Sequence, residues 1–160
     1  MNRKFLLIPL GLLGFWIVGF SSFSYLPREH WIQAFYPFAK LSYGTVCHQI
    51  DEKSFVRGGV HFLVCSRCAG IYVGAFIALL FLLLTLKWNF FSNWYFFAAG
   101  FVLLLTDVVI NNFLFAEYFK MSAFLSGYLF SFLAVNFTIF ELKRNIFIDE
   151  SKRNTDFYET

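Results

Sequence analysis

Four apolar runs, each close to the length needed to cross a bilayer, constrain this chain more than any other feature. A membrane-spanning helix needs about 20 predominantly apolar residues. Phe5–Phe23, Ala69–Leu86, Trp94–Phe115 and Met121–Phe140 all come near that measure. The second run carries no charged residue, and the third carries one, Asp107. Composition agrees: 59% of the 160 residues are hydrophobic, 14% are charged, and 25 are Phe. Soluble domains sit nearer to about 45–50% apolar and about 25% charged. A water-soluble fold of this length could not hide the surplus apolar surface. The balance argues against a disordered chain, a nucleic-acid binder and an ordinary cytosolic enzyme. It makes the lipid bilayer the first partner. The expected fold is all-α: a polytopic, multi-pass protein of the cell membrane with four transmembrane helices. These occupy one domain, residues 1–144, and a polar tail follows over 145–160.

Short links join spans two to four, so those helices should pack as antiparallel neighbours. The only long connection runs over residues 24–68. The first span, preceded by Arg3 and Lys4, resembles a signal peptide, but Phe20, Phe23 and Tyr25 crowd the place where a small-x-small cleavage site would be. A retained helix is the expectation, with Gly11, Gly14 and Gly19 permitting close helix contact. Within the long loop, Ile32, Phe35, Tyr36 and Ala39 fall at helical spacing, flanked by Trp31 and Lys40. That pattern predicts a short interfacial helix, bent or stopped near Pro37.

Lys and Arg orient such a bundle. With the N-terminus inside, Arg3, Lys4, Lys87, Lys143, Arg144, Lys152 and Arg153 are cytoplasmic. Arg28, Lys40, Lys53, Arg57, Arg67 and Lys120 lie opposite. The totals are close, but the bias is clear at the two chain ends. Both termini are therefore expected in the cytoplasm and the long loop outside.

All three cysteines fall at the end of that loop, in Cys47-His48-Gln49 and Cys65-Ser66-Arg67-Cys68. Two Cys in a C-x-x-C pair are one helical turn apart and can aim both sulfurs at one place. A tetrahedral ion such as zinc accepts thiolate and imidazole ligands, which makes Cys47, His48, Cys65 and Cys68 the candidate set. His61 is the spare fourth ligand. The same pair suits a reversible disulfide. A c-type haem site fits poorly, because Ala69 and not His follows the second Cys. Cys65 and Cys68 open a span, where unpaired N–H groups and the positive helix end favour thiolate. Arg67 and Arg57 push the same way. The plain alternative for Arg67 is a snorkelling contact with lipid headgroups.

Asp107 is the one acid inside a span. A carboxylate at membrane depth usually faces the bundle interior. Asn111, four residues on, shares its face. At 1.5 Å per residue Asp107 lies about 12 Å from the outer end of its span, in the half nearest the cysteines. Ser126 and Gly127 lie in the same half of the fourth span. These groups either line a polar pocket beneath the cysteines or act as interhelical hydrogen-bond glue. Asn136 is deeper and reads as glue. Gly70 and Gly74 form a small-x-x-x-small packing face, and Tyr72 on that helix could cover the cluster.

The runs Cys47-His48-Gln49, Lys53-Ser54-Phe55 and Cys65-Ser66-Arg67-Cys68-Ala69-Gly70-Ile71-Tyr72-Val73-Gly74 resemble domain-of-unknown-function family 2085, small membrane proteins of bacteria and archaea. The resemblance covers roughly residues 41–140. It implies a Cys-His-Gln motif, an Arg-Ser-Phe-like segment and a Cys-x-Arg-Cys-x-Gly-Ile-Tyr-x-Gly signature opening a helix. It also implies an Asp in the next span, matched by Asp107, and a late Gly, matched by Gly127. Two positions depart. Lys53 stands where Arg is expected, and no Arg precedes Gly127, although Lys120 is near. The resemblance implies a site and a membrane class, and no activity.

Two chemistries fit these residues. One is a metal site, zinc by the ligand set, ringed by Arg67, Tyr72, Asp107 and Asn111. A closed four-ligand site is structural, whereas a catalytic one keeps a position for water. The other is a thiol–disulfide oxidoreductase using Cys65 and Cys68, with Cys47 as relay. It is similar in architecture alone to quinone-linked disulfide-forming membrane enzymes. A transporter has little support from four spans with one acid and no repeat.

Overall fold

The computed structural model describes residues 4–25, 31–84, 93–114 and 118–158. Five helices and one hairpin follow in order: α1 Lys4–Tyr25, α2 Tyr36–Gly44, β1 Ser54–Arg57, β2 Val60–Cys65, α3 Ser66–Leu84, α4 Trp94–Val109 and α5 Lys120–Tyr158. Four segments are long and apolar enough to cross a membrane: Leu6–Tyr25, Ser66–Leu84, Trp94–Phe113 and Lys120–Asn145. Those are the four spans expected. Leu86 and Phe115, the last residues of two predicted spans, lie outside the described residues. So do Arg3, Arg28 and Lys87 of the charge argument.

The spans turn apolar side chains outward, among them Leu12, Phe15, Val102 and Phe113, the last 82% exposed. In water such surface would be an aggregation liability, and in a bilayer it is solvated. Backbone proximity sets the interior. A Cβ at Gly70 or Gly74 would run into the carbonyl oxygens of Phe124 and Tyr128 on α5. A Cβ at Gly127 would sit 2.5 Å from the Arg67 carbonyl. The small residues of α3 and α5 thus let the two backbones touch, as transmembrane packing by small residues requires. Helix α4 packs on α5, and α1 lies against α3 and β2. Gly19 of α1 admits the Tyr43 hydroxyl and Gly14 meets the Phe76 ring, whereas Gly11 faces open space.

The long loop is more ordered than its sequence reading. The interfacial helix is present as a 3₁₀ turn, Trp31–Phe35, running into α2, with Pro37 in the first turn rather than at a break. Proline suits that position because its missing N–H would be unpaired there in any case. After it comes an antiparallel hairpin that hydrophobic spacing did not suggest. Its register pairs Ser54 with Cys65, Val56 with His61 and Arg57 with Val60, with a bulge between Ser54 and Val56. The turn is Gly58-Gly59, both at positive φ (58° and 74°). Two residues of positive φ make the hairpin turn whose twist matches the strands. The Gly-Gly pair between short apolar runs was the available signal. At the other end of the chain, α5 continues to Tyr158, so the backbone of the polar tail is helical through that residue.

Candidate metal centre

The hairpin delivers Cys65 at the last residue of β2, and α3 begins at the next residue. Cys68 follows one turn into α3. Cys47 arrives from the loop after α2, whose chain turns back through Thr45 with the Cys47 N–H donating to the Tyr43 carbonyl at 3.0 Å. Gln49 fixes the exit of this loop. It takes a positive φ of 49°. Its Nε2 donates to the Lys40 carbonyl at 2.8 Å and the Leu63 carbonyl at 3.0 Å. The side chain of the Cys-His-Gln motif therefore ties the Cys47 loop to α2 and to β2.

The result brings the ligand atoms of Cys47, Cys65 and Cys68 within 4.8 Å of one another, in positions that could hold a metal ion. All three are free thiols. Cys47 is buried and the other two partly so. The backbone N–H of Cys65 donates to Cys47 Sγ at 3.2 Å. Thiol donation from Cys65 and Cys68, followed by backbone N–H groups of Cys65 and Gln49, pulls the Cys47 thiol far below its ordinary range, and burial opposes this. Hydrogen bonds to the charged form favour it, so these contacts bias Cys47 toward thiolate. The Cys65 thiol is pushed up, chiefly because it donates to Cys47. The cluster sits in an aromatic shell of Phe20, Phe23, Tyr43, Phe62 and Tyr72. Tyr72 packs there with Trp16 and Phe20, ring centroids 6.2 and 6.1 Å away. His48 is exposed and is not among the mutually close ligand atoms. His61 is half-buried on β2, and its Nδ1 has no partner among the described residues.

Arg67, between the two cysteines, makes a second contact set. Its Nη2 donates to Asp107 Oδ2 at 2.9 Å, and the two side chains are 18% and 6% exposed. Asn111 Nδ2 donates to Asp107 Oδ1 at 2.8 Å, and the Ser122 hydroxyl donates to the same oxygen. Asn111 Oδ1 accepts from the Phe119 N–H at 2.9 Å. One carboxylate thus joins α3, α4 and α5. Asp107 and Asn111 do face the bundle, and the cation that meets Asp107 comes from the cysteine motif itself rather than from the region before Gly127. A π-helical turn over Ile110–Leu114 ends the third span. It sends the neighbouring amide Asn112 the other way, where its Oδ1 accepts from Lys53 Nζ at 2.8 Å. Thr106, Asp107, Ser122 and Ser126 line the polar side of a cavity of about 560 Å³ between α4 and α5, walled by Leu103, Ile110, Leu125 and Leu129. No cysteine lines it. Asn136 donates to the Phe132 carbonyl of its own helix at 2.7 Å.

Residue-type reasoning missed Ser66, Tyr118 and Ser122. Single hydroxyls at span ends carry no spacing signal: Ser66 adjoins Arg67 in the chain, whereas Ser122 reaches Asp107 and the Tyr118 ring approaches Arg67 only through the packing of the chain around the start of α5.

Comparison with known families places these geometries in context. The family DUF2085, described as a predicted membrane protein, matches residues 47–137. An uncharacterized protein of Methanocaldococcus jannaschii is 29% identical over 86 residues, 50% of this chain and 53% of that protein. An uncharacterized protein of Methanothermobacter thermautotrophicus is 55% identical over 31 residues, 19% of this chain and 28% of that protein. The matches thus span about half of the first relative's length and about a quarter of the second's. No solved structure matches.

Proposed function

Because the chain belongs to the DUF2085 family of predicted membrane proteins, we propose that it is an integral membrane protein built around a zinc site at the membrane edge, with Cys47, Cys65 and Cys68 as thiolate ligands. The observation that carries this reading is the approach of three sulfurs to within 4.8 Å. An ion about 2.3 Å from each sulfur spaces tetrahedral ligands about 3.8 Å apart, so a small contraction closes the set. The N–H donation to Cys47 Sγ supports the thiolate form that an ion needs. His48, next to Cys47, is the proposed fourth ligand and must turn inward from its exposed position. His61 is its competitor. A three-thiolate site whose fourth position stays with water is the form that does chemistry.

The spans put the cluster at the end of the bundle where α1 and the third span finish and α3 and α5 start. We place this end outside and both termini in the cytoplasm, on the Lys and Arg of the chain ends. An impermeant thiol reagent should label the cysteines in intact cells after metal removal. Labelling only after lysis would reverse the orientation.

The close sulfurs also favour a second reading, a thiol–disulfide oxidoreductase. A Cys65–Cys68 S–S bond would form as both S–H bonds break, and the two protons and two electrons would pass to an acceptor such as a quinone. Metal ligation and that disulfide exclude each other on one molecule. Elemental analysis with thiol counting on purified protein should give about one zinc and three thiols per chain. His48→Ala and His61→Ala should then differ, the larger loss of zinc naming the fourth ligand. Metal-free protein that holds a Cys65–Cys68 disulfide and exchanges it with a quinone would sink the zinc reading.

A further inference from the structure

The cavity between α4 and α5 opens toward lipid. Leu103, Leu125 and Leu129 at its sides are exposed faces of two spans, so its mouth lies within the bilayer. Its volume of about 560 Å³ is that of a small-molecule pocket. Polarity changes along it. Ser122 and Ser126 stand in the first two turns of α5, and Leu129 lies about 10 Å deeper than Ser122 at 1.5 Å per residue. On α4, Thr106 and Asp107 lie toward the same end as the serines, and Leu103 lies about one turn deeper. A lipid in the leaflet beside the cysteine cluster has the same order, a polar head at the edge and an apolar chain toward the midplane.

The hydrogen bonds at the polar end decide what kind of head fits. Thr106 donates its hydroxyl proton to the Val102 carbonyl at 2.8 Å, and Ser126 donates to the Ala123 carbonyl at 3.1 Å. Ser122 donates to Asp107, whose carboxylate also accepts from Arg67 and Asn111. A hydroxyl with its proton spent in this way keeps its acceptor lone pairs. The lining side chains therefore present acceptors and no free proton, and they select a ligand that donates. The Arg67 guanidinium already balances the Asp107 charge, so a neutral donor fits better than an ammonium. An acyl chain alone would cover the leucines and leave the hydroxyl oxygens facing hydrocarbon, where an unmet polar group is costly.

We propose that this cavity binds a neutral, lipid-soluble molecule with a hydroxyl head and an apolar chain. The head donates to the oxygens of Thr106, Ser122 and Ser126, and the chain lies along Leu103 and Leu129. No sulfur contributes to the site, so it stands or falls apart from the zinc and disulfide readings.

The test uses the full chain in detergent micelles, titrated calorimetrically with para-decylphenol against micelles without protein. This phenol is not a quinone and does not exchange with a disulfide. Saturable binding is expected. The methyl ether of the same phenol keeps the shape and loses the donor, and it should bind about 5-fold more weakly or worse, the loss of one hydrogen bond. Thr106→Val, an isosteric change at a lipid-exposed position, should weaken the phenol by a similar factor and leave the ether unchanged. Leu103→Trp fills the cavity from its side and should abolish binding of both, with zinc content unaltered. Equal affinity for phenol and ether would reduce the cavity to a groove for acyl chains and overturn the proposal. Phenol binding that survives Leu103→Trp would place the ligand elsewhere and overturn it too. Tighter binding of decylammonium than of the phenol would overturn the neutral head.

Discussion

The tetrapeptide Cys65-Ser66-Arg67-Cys68 serves two neighbouring regions, and they are finished to different degrees. On the Arg67 side, the Asp107 carboxylate accepts from Arg67, Asn111 and Ser122, and Asn111 accepts in turn from the chain entering α5. That clasp closes within the protein. On the sulfur side, three thiols have chiefly one another and backbone N–H groups as partners. The contrast separates a structural fastener from a centre whose donors remain available to something else. A carboxylate in lipid must be paired by the fold itself, because leaving it bare is costly. Soft thiols tolerate an apolar, aromatic shell until an ion or an oxidant arrives.

The largest effect should come from the sulfur side. Cys47→Ser and Cys68→Ser should each reduce zinc from about one equivalent to a small fraction, since every ligand of a tetrahedral site is needed. A variant that keeps its zinc would remove that cysteine from the set. Acid should act on the same region. Hydrogen bonds hold the Cys47 thiol below its ordinary range, while the Cys65 thiol is pushed up, so Cys65 is among the groups that must lose a proton when an ion binds. Zinc affinity should therefore rise with pH through neutrality. A competitive chelator titration that shows no change with pH would show that no proton leaves.

The clasp should respond in stability, not in metal. Asp107→Leu strands Arg67 and should cost about 3 kcal/mol, the lower end for breaking a buried pair. Arg67→Leu with Asp107→Leu should recover most of that loss. Zinc content of both should stay near one equivalent. Metal loss on Asp107→Leu would show that the two regions act as one. The smallest effect belongs to Lys53→Gln. Its bond to Asn112 is exposed, and thermal unfolding should shift by no more than about 1 kcal/mol.

Much of this was legible in the residues. The four spans, the interfacial segment and the gathering of Cys47 with the C-x-x-C pair all follow from local rules: length in a bilayer, helical spacing, and one turn between paired cysteines. Gly70 and Gly74 read correctly as a packing face, since only a missing Cβ lets two backbones meet. The hairpin was not read, because its strands are too short for a period to show and its Gly58-Gly59 turn stood alone as a signal. His48, chosen for adjacency to Cys47, shows what adjacency leaves undecided. The fold exposes His48 while burying Cys47.

The sequence by itself determined the medium and the inventory: an apolar content that only lipid can accommodate, one acid that must find a partner there, and three sulfurs close along the chain. Tertiary structure alone decided which partners those groups found. Arg67 reaches Asp107 across the residues that separate them because α3 and α4 are both held to α5. Spacing along a helix governs which side chains share a face, but the pairing of faces between helices depends on where glycine lets the backbones approach. That is set by the packed shape of the whole bundle and not by any one segment.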